Sequence, residues 1–151
     1  MKAVSLLFIV VALLLVSCKS GPKPPADEQL IAELTLSVKE SDLDVDTGLD
    51  VLMTDRLAIN ASGKIWAGVA FTGENGPRGW NNIDNDPKFP LPGTHPYSLL
   101  GKIGTQYFYI GDGNQVNHSI ANGRLLLRIN DDTPGNGSGA FTVNIKVWRK
   151  K

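Results

Sequence analysis

The amino-acid sequence predicts an all-β domain, an antiparallel β-sandwich. After residue 28, few windows repeat apolar residues at helical spacing, whereas several short runs alternate apolar and polar residues or are β-branched and aromatic. Gly, Asn, Asp or Pro closes each run, and strands of this kind without a clear helix are typical of a sandwich or barrel. The predicted strands are Leu30–Val38, Arg56–Ala61, Lys64–Phe71, Tyr97–Ile103, Gln106–Ile110, Gly123–Ile129 and Ala140–Trp148.

The segments between these strands have the composition of turns and loops. Asn60–Lys64 predicts a tight turn in which Gly63 takes a positive φ. The stretch from Thr72 to Thr94 holds four Gly and four Pro residues, so we expect a long loop that is either functional or disordered. The acidic run Asp42–Asp50 predicts a solvated face, with an ion held between its carboxylates as the alternative.

Residues 1–17 are predicted to be a helical signal segment outside the fold. Lys2 precedes an apolar run that ends at Val16, which is short for a membrane span. Leu15-Val16-Ser17-Cys18 resembles the bacterial lipobox, which implies cleavage before Cys18 and lipid attachment at this residue. Cys18 is also the single cysteine, so an internal disulfide is excluded.

The remaining chain is predicted to be a short tether followed by one domain. Residues 18–28 are Pro-rich and polar, which is typical of a semi-rigid linker, and residues 29–151 have the length of one domain. Lys19 and Ser20 follow the cysteine where an inner-membrane retention signal has Asp, so we expect a lipid-anchored envelope protein on the outer membrane. Without residues 1–17 the chain has 14 basic and 15 acidic side chains, a balance that argues against nucleic acid as a partner. The oligomeric state is left open.

Catalytic constellations are poorly supplied, so we do not expect an enzyme. His95 and His118 are far from any Gly-x-Ser-x-Gly elbow, and the single cysteine is assigned to the anchor. Four acids are left as an unfavoured glycosidase alternative, since nothing in their spacing supports a catalytic pair: Asp84, Asp86, Asp131 and Asp132.

The loop Asn130–Ser138 is rich in side-chain oxygens. It offers carboxylates, amides and hydroxyls together with two Gly for tight bends, which suits a hard cation such as Ca²⁺. The same composition is also that of an ordinary hairpin turn. In the long loop, Trp80 is a candidate platform for the apolar face of a sugar ring.

The order of short motifs along the chain resembles a known family. The segments are Asp46–Gly68, Gly76–Gly79, Leu99–Gly104, Tyr109–Gly111, Gly123–Asp132 and Gly137–Ile145. Together they resemble the bacterial calcium-dependent galactose-binding lectins, which have a jelly-roll or galactose-binding-like β-sandwich. The most specific part is an Asn-Asp that ends one strand and a Ser-Gly that opens the next.

The resemblance implies a Ca²⁺ ion in the loop between those two strands, and a galactoside bound to the ion through two hydroxyls. Asp131 matches the central carboxylate, which touches both ion and sugar, and Asn136 matches a loop amide that serves both. Thr133 is a candidate ligand, and a backbone carbonyl of Trp66 or Ala67 would complete the metal shell. The sugar-contacting His-Pro of the family has two candidate replacements here, Asp86-Pro87 and His95-Pro96.

The chain also departs from this pattern. The loop between Asp131 and Ser138 is shorter than in the lectins, and Gly137 stands where they have a second amide. Two functions are therefore carried forward. The first is a membrane-anchored lectin-like protein that binds carbohydrate, and the second is a structural or assembly lipoprotein whose fold has lost its sugar site.

Overall fold

A computed structural model describes residues 26–113 and 116–151, so Cys18 and the signal segment lie outside the described residues. Within these described residues, nine strands follow one another. They are β1 (Glu28–Lys39), β2 (Val45–Val51), β3 (Arg56–Trp66), β4 (Glu74–Asn75), β5 (Leu99–Ile103), β6 (Gln106–Tyr109), β7 (Val116–His118), β8 (Gly123–Ile129) and β9 (Ser138–Lys150). A short 3₁₀ turn spans Ala70–Thr72.

The strands form two antiparallel sheets, which confirms the predicted β-sandwich. The five-stranded sheet has the order β1-β9-β3-β4, with β7 also paired to β3. The four-stranded sheet has the order β2-β8-β5-β6. β9 has 13 residues and lies between β1 and β3, which makes it the central strand of the longer sheet.

The core fills the space between the inner faces of the two sheets. Alternate side chains of β9 are fully buried, as the period of two in a half-buried strand requires, and β8 supplies the facing row from the other sheet. The two rows are Phe141, Val143, Ile145 and Val147 from β9, and Leu125, Leu127 and Ile129 from β8.

Two local predictions differ from the structure. Asn60–Lys64 is not a turn, because β3 runs unbroken through it and pairs residue by residue with β9. Gly63 does have a positive φ of 98°, and its lack of a side chain is needed because a Cβ would lie 2.6 Å from the Ala140 carbonyl oxygen. The predicted strand Lys64–Phe71 ends at Trp66, since Gly68, with a φ of 74°, turns the chain away from the sheet.

The acidic run Asp42–Asp50 contains a strand that the sequence did not predict, β2. Its exposed acids are paired with basic side chains of the same sheet. Lys102 contacts Asp44 at 2.7 Å, and Arg124 lies 3.3 Å from Asp50. Cross-strand ion pairs of this kind offset part of the charge of the run.

A buried ion pair holds the end of the sandwich where the described chain begins and ends. Asp55 is fully buried in the turn before β3 and accepts two hydrogen bonds of 2.7 Å from Arg149 in β9 and one of 2.8 Å from the Leu52 amide. Burial alone would raise the pKa of Asp55, but the hydrogen bonds from Arg149 and Leu52 outweigh it and lower the pKa.

We expect Asp55→Ala to lower the free energy of unfolding by roughly 2 kcal/mol, because its buried donors lose their acceptor. Glu74→Gln is the matched control, since its pair with Lys64 is exposed on both sides and should change stability by less than about 0.5 kcal/mol. Urea unfolding measures both. Because the pKa of Asp55 is lowered, the deficit of Asp55→Ala should be present at neutral pH and shrink as the pH falls through the folded-state pKa. A deficit that stays constant into acid would contradict this assignment.

Candidate functional site

Loop 130–137 connects β8 of the four-stranded sheet with β9 of the five-stranded sheet. It folds tightly on itself: the Asp131 amide donates to the Ile129 carbonyl at 2.9 Å, and the Asn136 amide approaches the Thr133 carbonyl at 3.4 Å. The loop therefore lies at one end of the sandwich, opposite the Asp55–Arg149 pair, and spans both layers.

Asn130 fixes the start of this loop to the long loop before β5. It is fully buried, its amide donates to the Ser98 carbonyl at 2.8 Å, and its carbonyl accepts from the Tyr97 amide at 2.7 Å. Its side chain accepts from the Leu91 amide at 3.0 Å and donates to the carbonyls of Leu91 at 3.2 Å and His95 at 3.1 Å. Five hydrogen bonds thus tie one side chain and its backbone to residues 91–98.

Asp131 is a buried carboxylate that lacks a full set of partners. Only 1% of the residue is exposed; its Oδ1 accepts from the Thr133 amide at 3.0 Å, while its Oδ2 has no hydrogen-bond partner among the described residues. Burial raises the pKa of Asp131 to about 6; the Thr133 amide opposes this rise, and the negative charges of Glu40 and Asp132 add to it. The unpartnered Oδ2 is called the orphan oxygen below.

Glu40 brings a second buried carboxylate to the site. It follows β1, is 1% exposed, and its amide donates to the Gly139 carbonyl at 3.1 Å. Its Oε1 accepts from the Gly135 amide at 3.0 Å, so Glu40 holds the far half of loop 130–137. Both acids are buried, and the charge of Glu40 helps to raise the pKa of Asp131, so negative charge is concentrated at this end of the sandwich.

The phenol of Tyr97 is subject to the charges of three acids. Tyr97 is the one non-glycine residue with a positive φ, 64°, among those the structure describes, a conformation that is strained for an aromatic residue. The pKa of its buried phenol is raised by burial and then by the charges of Asp131, Asp132 and Asp84. Asp84, from the long loop, thus acts on the same phenol as the two acids of loop 130–137.

The end of β3 forms the opposite wall of the site. A side chain at Gly137 would overlap the Trp66 carbonyl oxygen and crowd the Gly68 amide, so the loop packs closely on this segment only because residue 137 is glycine. The Asn136 side chain reaches Gly68. The absence of a second loop amide at position 137 thus has a steric cause in this chain.

The predicted metal ligands gather at this end of the molecule, although their binding role remains a prediction. Asp131 and Thr133 are joined by the Asx hydrogen bond, while Asn136 and the segment Trp66–Gly68 are in contact. Thr133 is exposed and contributes its amide to Asp131, and Ala67 is fully buried.

The predicted sugar-contacting residues divide into two groups. His95 is tied to the site through its carbonyl, which Asn130 binds, and its Nδ1 lies 2.9 Å from the Trp80 carbonyl and 2.8 Å from the Asn82 carbonyl. Both partners only accept, so Nδ1 carries the hydrogen. Trp80 donates its amide to the Pro96 carbonyl at 2.8 Å. Asp86, in contrast, makes a local turn with the Lys88 amide at 3.0 Å.

An exposed aromatic side chain next to Trp80 escaped the sequence analysis. Phe71 is 78% exposed and packs edge-on against Trp80 with ring centroids 5.5 Å apart. It follows Gly68 by three residues, which places an apolar ring beside the polar wall of the site. A phenylalanine at the end of an apolar run looks like a core residue, so the sequence carried no signal for this position. Glu40 had none either, because only the tertiary fold brings it to loop 130–137.

A cluster of metal-binding side chains and a membrane-spanning helix are both absent from the described residues. No cluster of three or more His, Cys, Asp or Glu side chains is arranged there to hold a metal ion. Calcium shells also use amide, hydroxyl and backbone oxygens, and loop 130–137 and the end of β3 contain oxygens of these types. Within residues 26–113 and 116–151, there is also no helix with the length and apolarity that a membrane crossing requires.

The fold has a counterpart among solved structures. The N-terminal domain of EclA, described as a PllA-like lectin, superimposes with a TM-score of 0.59 at 21% sequence identity. The match covers 78% of this chain and 97% of that domain. The described part of the chain therefore has a lectin-like β-sandwich fold. No family model and no curated protein matches the sequence.

We expect Asn130→Ala to lower the free energy of unfolding by roughly 2–4 kcal/mol, because the part-buried amide and carbonyl of Leu91 lose their partner and the His95 carbonyl keeps only the Ser98 hydroxyl. Asn81→Ala, an exposed asparagine in the same long loop, is the control and should change stability by less than about 0.5 kcal/mol. Chemical denaturation measures stability, and hydrogen exchange should show faster exchange at residues 91–98. Unchanged exchange there would show that Asn130 does not order this loop.

Asp131 should make the metal-free protein less stable as the pH rises. Its folded-state pKa, about 6, lies above its ordinary value of 3.8, so the folded state binds this proton more tightly than the unfolded chain does. The stability that the proton contributes, roughly 2–3 kcal/mol by the size of the shift, is present in acid and lost as the pH rises through about 6.

Asp131→Asn removes this titration and should therefore be more stable than the parent protein at pH 8, by an amount that decreases toward pH 4. Urea unfolding in the presence of a chelator at a series of pH values provides the comparison. A difference between the two proteins that does not change with pH would refute the elevated pKa.

Proposed function

We propose that this chain is a non-catalytic, carbohydrate-binding protein of the cell envelope, in which loop 130–137 binds Ca²⁺ and, through it, a sugar. The observation that carries the proposal is the orphan oxygen of Asp131. It belongs to a buried carboxylate whose pKa is raised in part by a second buried acid, Glu40, in a sandwich of lectin-like fold. A site that concentrates buried negative charge in this way is suited to a cation.

The donor set fits a hard divalent ion. Asp131 would supply a carboxylate oxygen, Asn136 an amide oxygen, and Trp66 a backbone carbonyl, with Thr133 and Ala67 as further candidates nearby. These are the oxygen types that Ca²⁺ takes. A bound divalent cation would also offset the repulsion between the negative charges of Asp131 and Glu40, because its positive charge attracts both carboxylates.

Carbohydrate is the ligand class that the surroundings of the ion suit best. A calcium ion with open positions can exchange water for vicinal hydroxyls, and apolar rings beside it can pack on the carbon face of a sugar. Trp80 and the exposed Phe71 provide such rings, and His95 offers its Nε2 because Nδ1 is held by backbone carbonyls. A galactoside is the sugar that the sequence resemblance implies, and it is the first to be tested.

The envelope location is part of the proposal. The lipobox-like Leu15–Cys18 sequence supports acylation of Cys18, and Lys19 and Ser20 support sorting to the outer membrane. The Pro-rich linker supports a tethered domain that stands clear of the lipid surface.

The decisive experiment is calorimetric titration of the full chain in detergent with Ca²⁺, followed by binding of the loaded protein to a glycan panel that includes galactosides. We expect calcium to bind, Asp131→Asn to weaken it at least tenfold, roughly the effect of losing one polar partner, and the sugar signal to disappear with chelator. Asp46→Asn, an exposed acid of β2, is the control and should leave both signals intact. Calcium affinity should also fall below about pH 6, where Asp131 takes up its proton.

A second outcome would favour the other candidate function. The short loop and Gly137 limit the number of side-chain donors, and the overlap of any side chain at 137 with Trp66 makes this limit structural. If neither Ca²⁺ nor any glycan binds, the protein is better described as an assembly lipoprotein, and one envelope protein should then be captured equally by the parent chain and by Asp131→Asn.

A further inference from the structure

Two turns at the end of the sandwich remote from loop 130–137 expose apolar side chains. Leu52 and Met53 lie in the turn between β2 and β3 and are 40% and 59% exposed, and Ile120, between β7 and β8, is 41% exposed. We call the surface formed by the turns 52–55 and 119–122 the terminal pole.

The two turns are joined into one surface by backbone hydrogen bonds. The Ser119 amide donates to the Asp55 carbonyl at 3.1 Å, and the Met53 amide donates to the Asn122 side chain at 2.7 Å. Asp55 is in turn held by Arg149 of β9. The three apolar side chains are therefore presented by a well-braced part of the fold.

The chain enters and leaves the described structure at this same pole. β1 begins at Glu28 opposite Lys150, and the Lys151 amide donates to the Asp27 carbonyl at 3.0 Å. Cys18 precedes Ala26 by eight residues, which can span at most about 29 Å. A lipid at Cys18 would thus hold the terminal pole close to the bilayer, whatever the path of the intervening residues.

The candidate ligand site lies at the other end of β9. This strand starts at Ser138, directly after loop 130–137, and runs 13 residues to Lys150. At the usual rise of a strand its two ends are about 40 Å apart. The loop therefore lies at the end of the domain opposite the entry point of the chain.

Charges at the terminal pole are compatible with an anionic lipid surface. The buried Asp55 is neutralised by Arg149, and Glu28 is paired with Arg56 at 2.7 Å. Lys150 and Lys151 are exposed at the end of β9, and the exposed acids nearby are Asp27, whose carbonyl accepts from the Lys151 amide, and Asp50, which lies 3.3 Å from Arg124. Apolar side chains that enter the interface while Lys side chains stay at headgroup level are a common arrangement of peripheral membrane contacts.

We infer that Leu52, Met53 and Ile120 contact the bilayer, so that the domain stands on the membrane by its terminal pole and presents loop 130–137 away from it. This inference rests on the proposed acylation of Cys18. The contact adds a second, weaker membrane interaction to the acyl chains and restricts the orientation of the domain, which a tether alone would leave free.

The test uses the full acylated chain in vesicles of phosphatidylethanolamine and phosphatidylglycerol. Because Cys18 is the single native cysteine and is consumed by the lipid, a new cysteine can be labelled alone. Met53→Cys places an environment-sensitive fluorophore on the terminal pole. Leu43→Cys is the matched control, since Leu43 is 63% exposed in the turn after β1, next to Glu40 and thus at the loop 130–137 end.

We expect spin-labelled lipids to quench the label at residue 53 at least about threefold more strongly than the label at residue 43, as an interfacial contact requires. In the Met53→Cys background, replacing both Leu52 and Ile120 by Ser should remove most of this difference while the protein still floats with the vesicles. Equal quenching at the two positions in protein that floats would overturn the inference and leave the anchor intact. Protein that does not float, with an unmodified Cys18 by mass spectrometry, would overturn the anchor as well. If the label at residue 53 is shielded from solvent in cells but not in these vesicles, the inference is overturned and the surface is assigned to a protein partner instead.

Discussion

The candidate site depends above all on the hydrogen bonds of Asn130. Its backbone and side chain bind Leu91, His95, Tyr97 and Ser98, so the long loop 76–98 between β4 and β5 is tied to the residue that precedes Asp131. A buried asparagine can satisfy this many groups only if every partner is in place. The position of the Asp131 carboxylate and the order of the long loop are therefore two results of one interaction.

Two buried aspartates show how the same chemical group serves opposite purposes in this fold. Asp55 meets a guanidinium and has a lowered pKa, whereas Asp131 meets other acids and has a raised one. The first arrangement stabilises the junction between a turn and the last strand. The second arrangement is unfavourable unless a bound cation contributes positive charge. Unfavourable electrostatics of this kind are concentrated at binding sites rather than distributed through a fold.

The sequence predicted the sandwich because alternation is a local property. β1, β8 and β9 each carry the period of two that a half-buried strand needs, and all three were located to within a few residues. The residue types of Asn60–Lys64 are those of a turn, and they led to a wrong prediction. The role of Gly63 is to let β3 pass close to Ala140. β2 was missed because its acids hide the alternating pattern, and their partner Arg124 lies on β8, the strand that pairs with β2.

The candidate site was predictable to a smaller extent. Asp131, Thr133 and Asn136 are close in sequence, so loop composition together with the family resemblance was enough to select them. Glu40 and Asp84 come from distant segments: Glu40 acts on the charge of Asp131, and Asp84 acts on the phenol of Tyr97, a residue whose positive φ no motif encodes. Long-range convergence of this type follows from packing, and a single sequence contains no direct record of it.

The path of loop 130–137 from one sheet to the other has a mechanical consequence. β8 and β9 belong to different layers, and Glu40 of the β1 end also holds the loop. An ion bound there would be bonded to both sheets of the sandwich at once. Its binding energy would then oppose separation of the layers, and a cut or an insertion in this loop would weaken the whole molecule rather than the site alone.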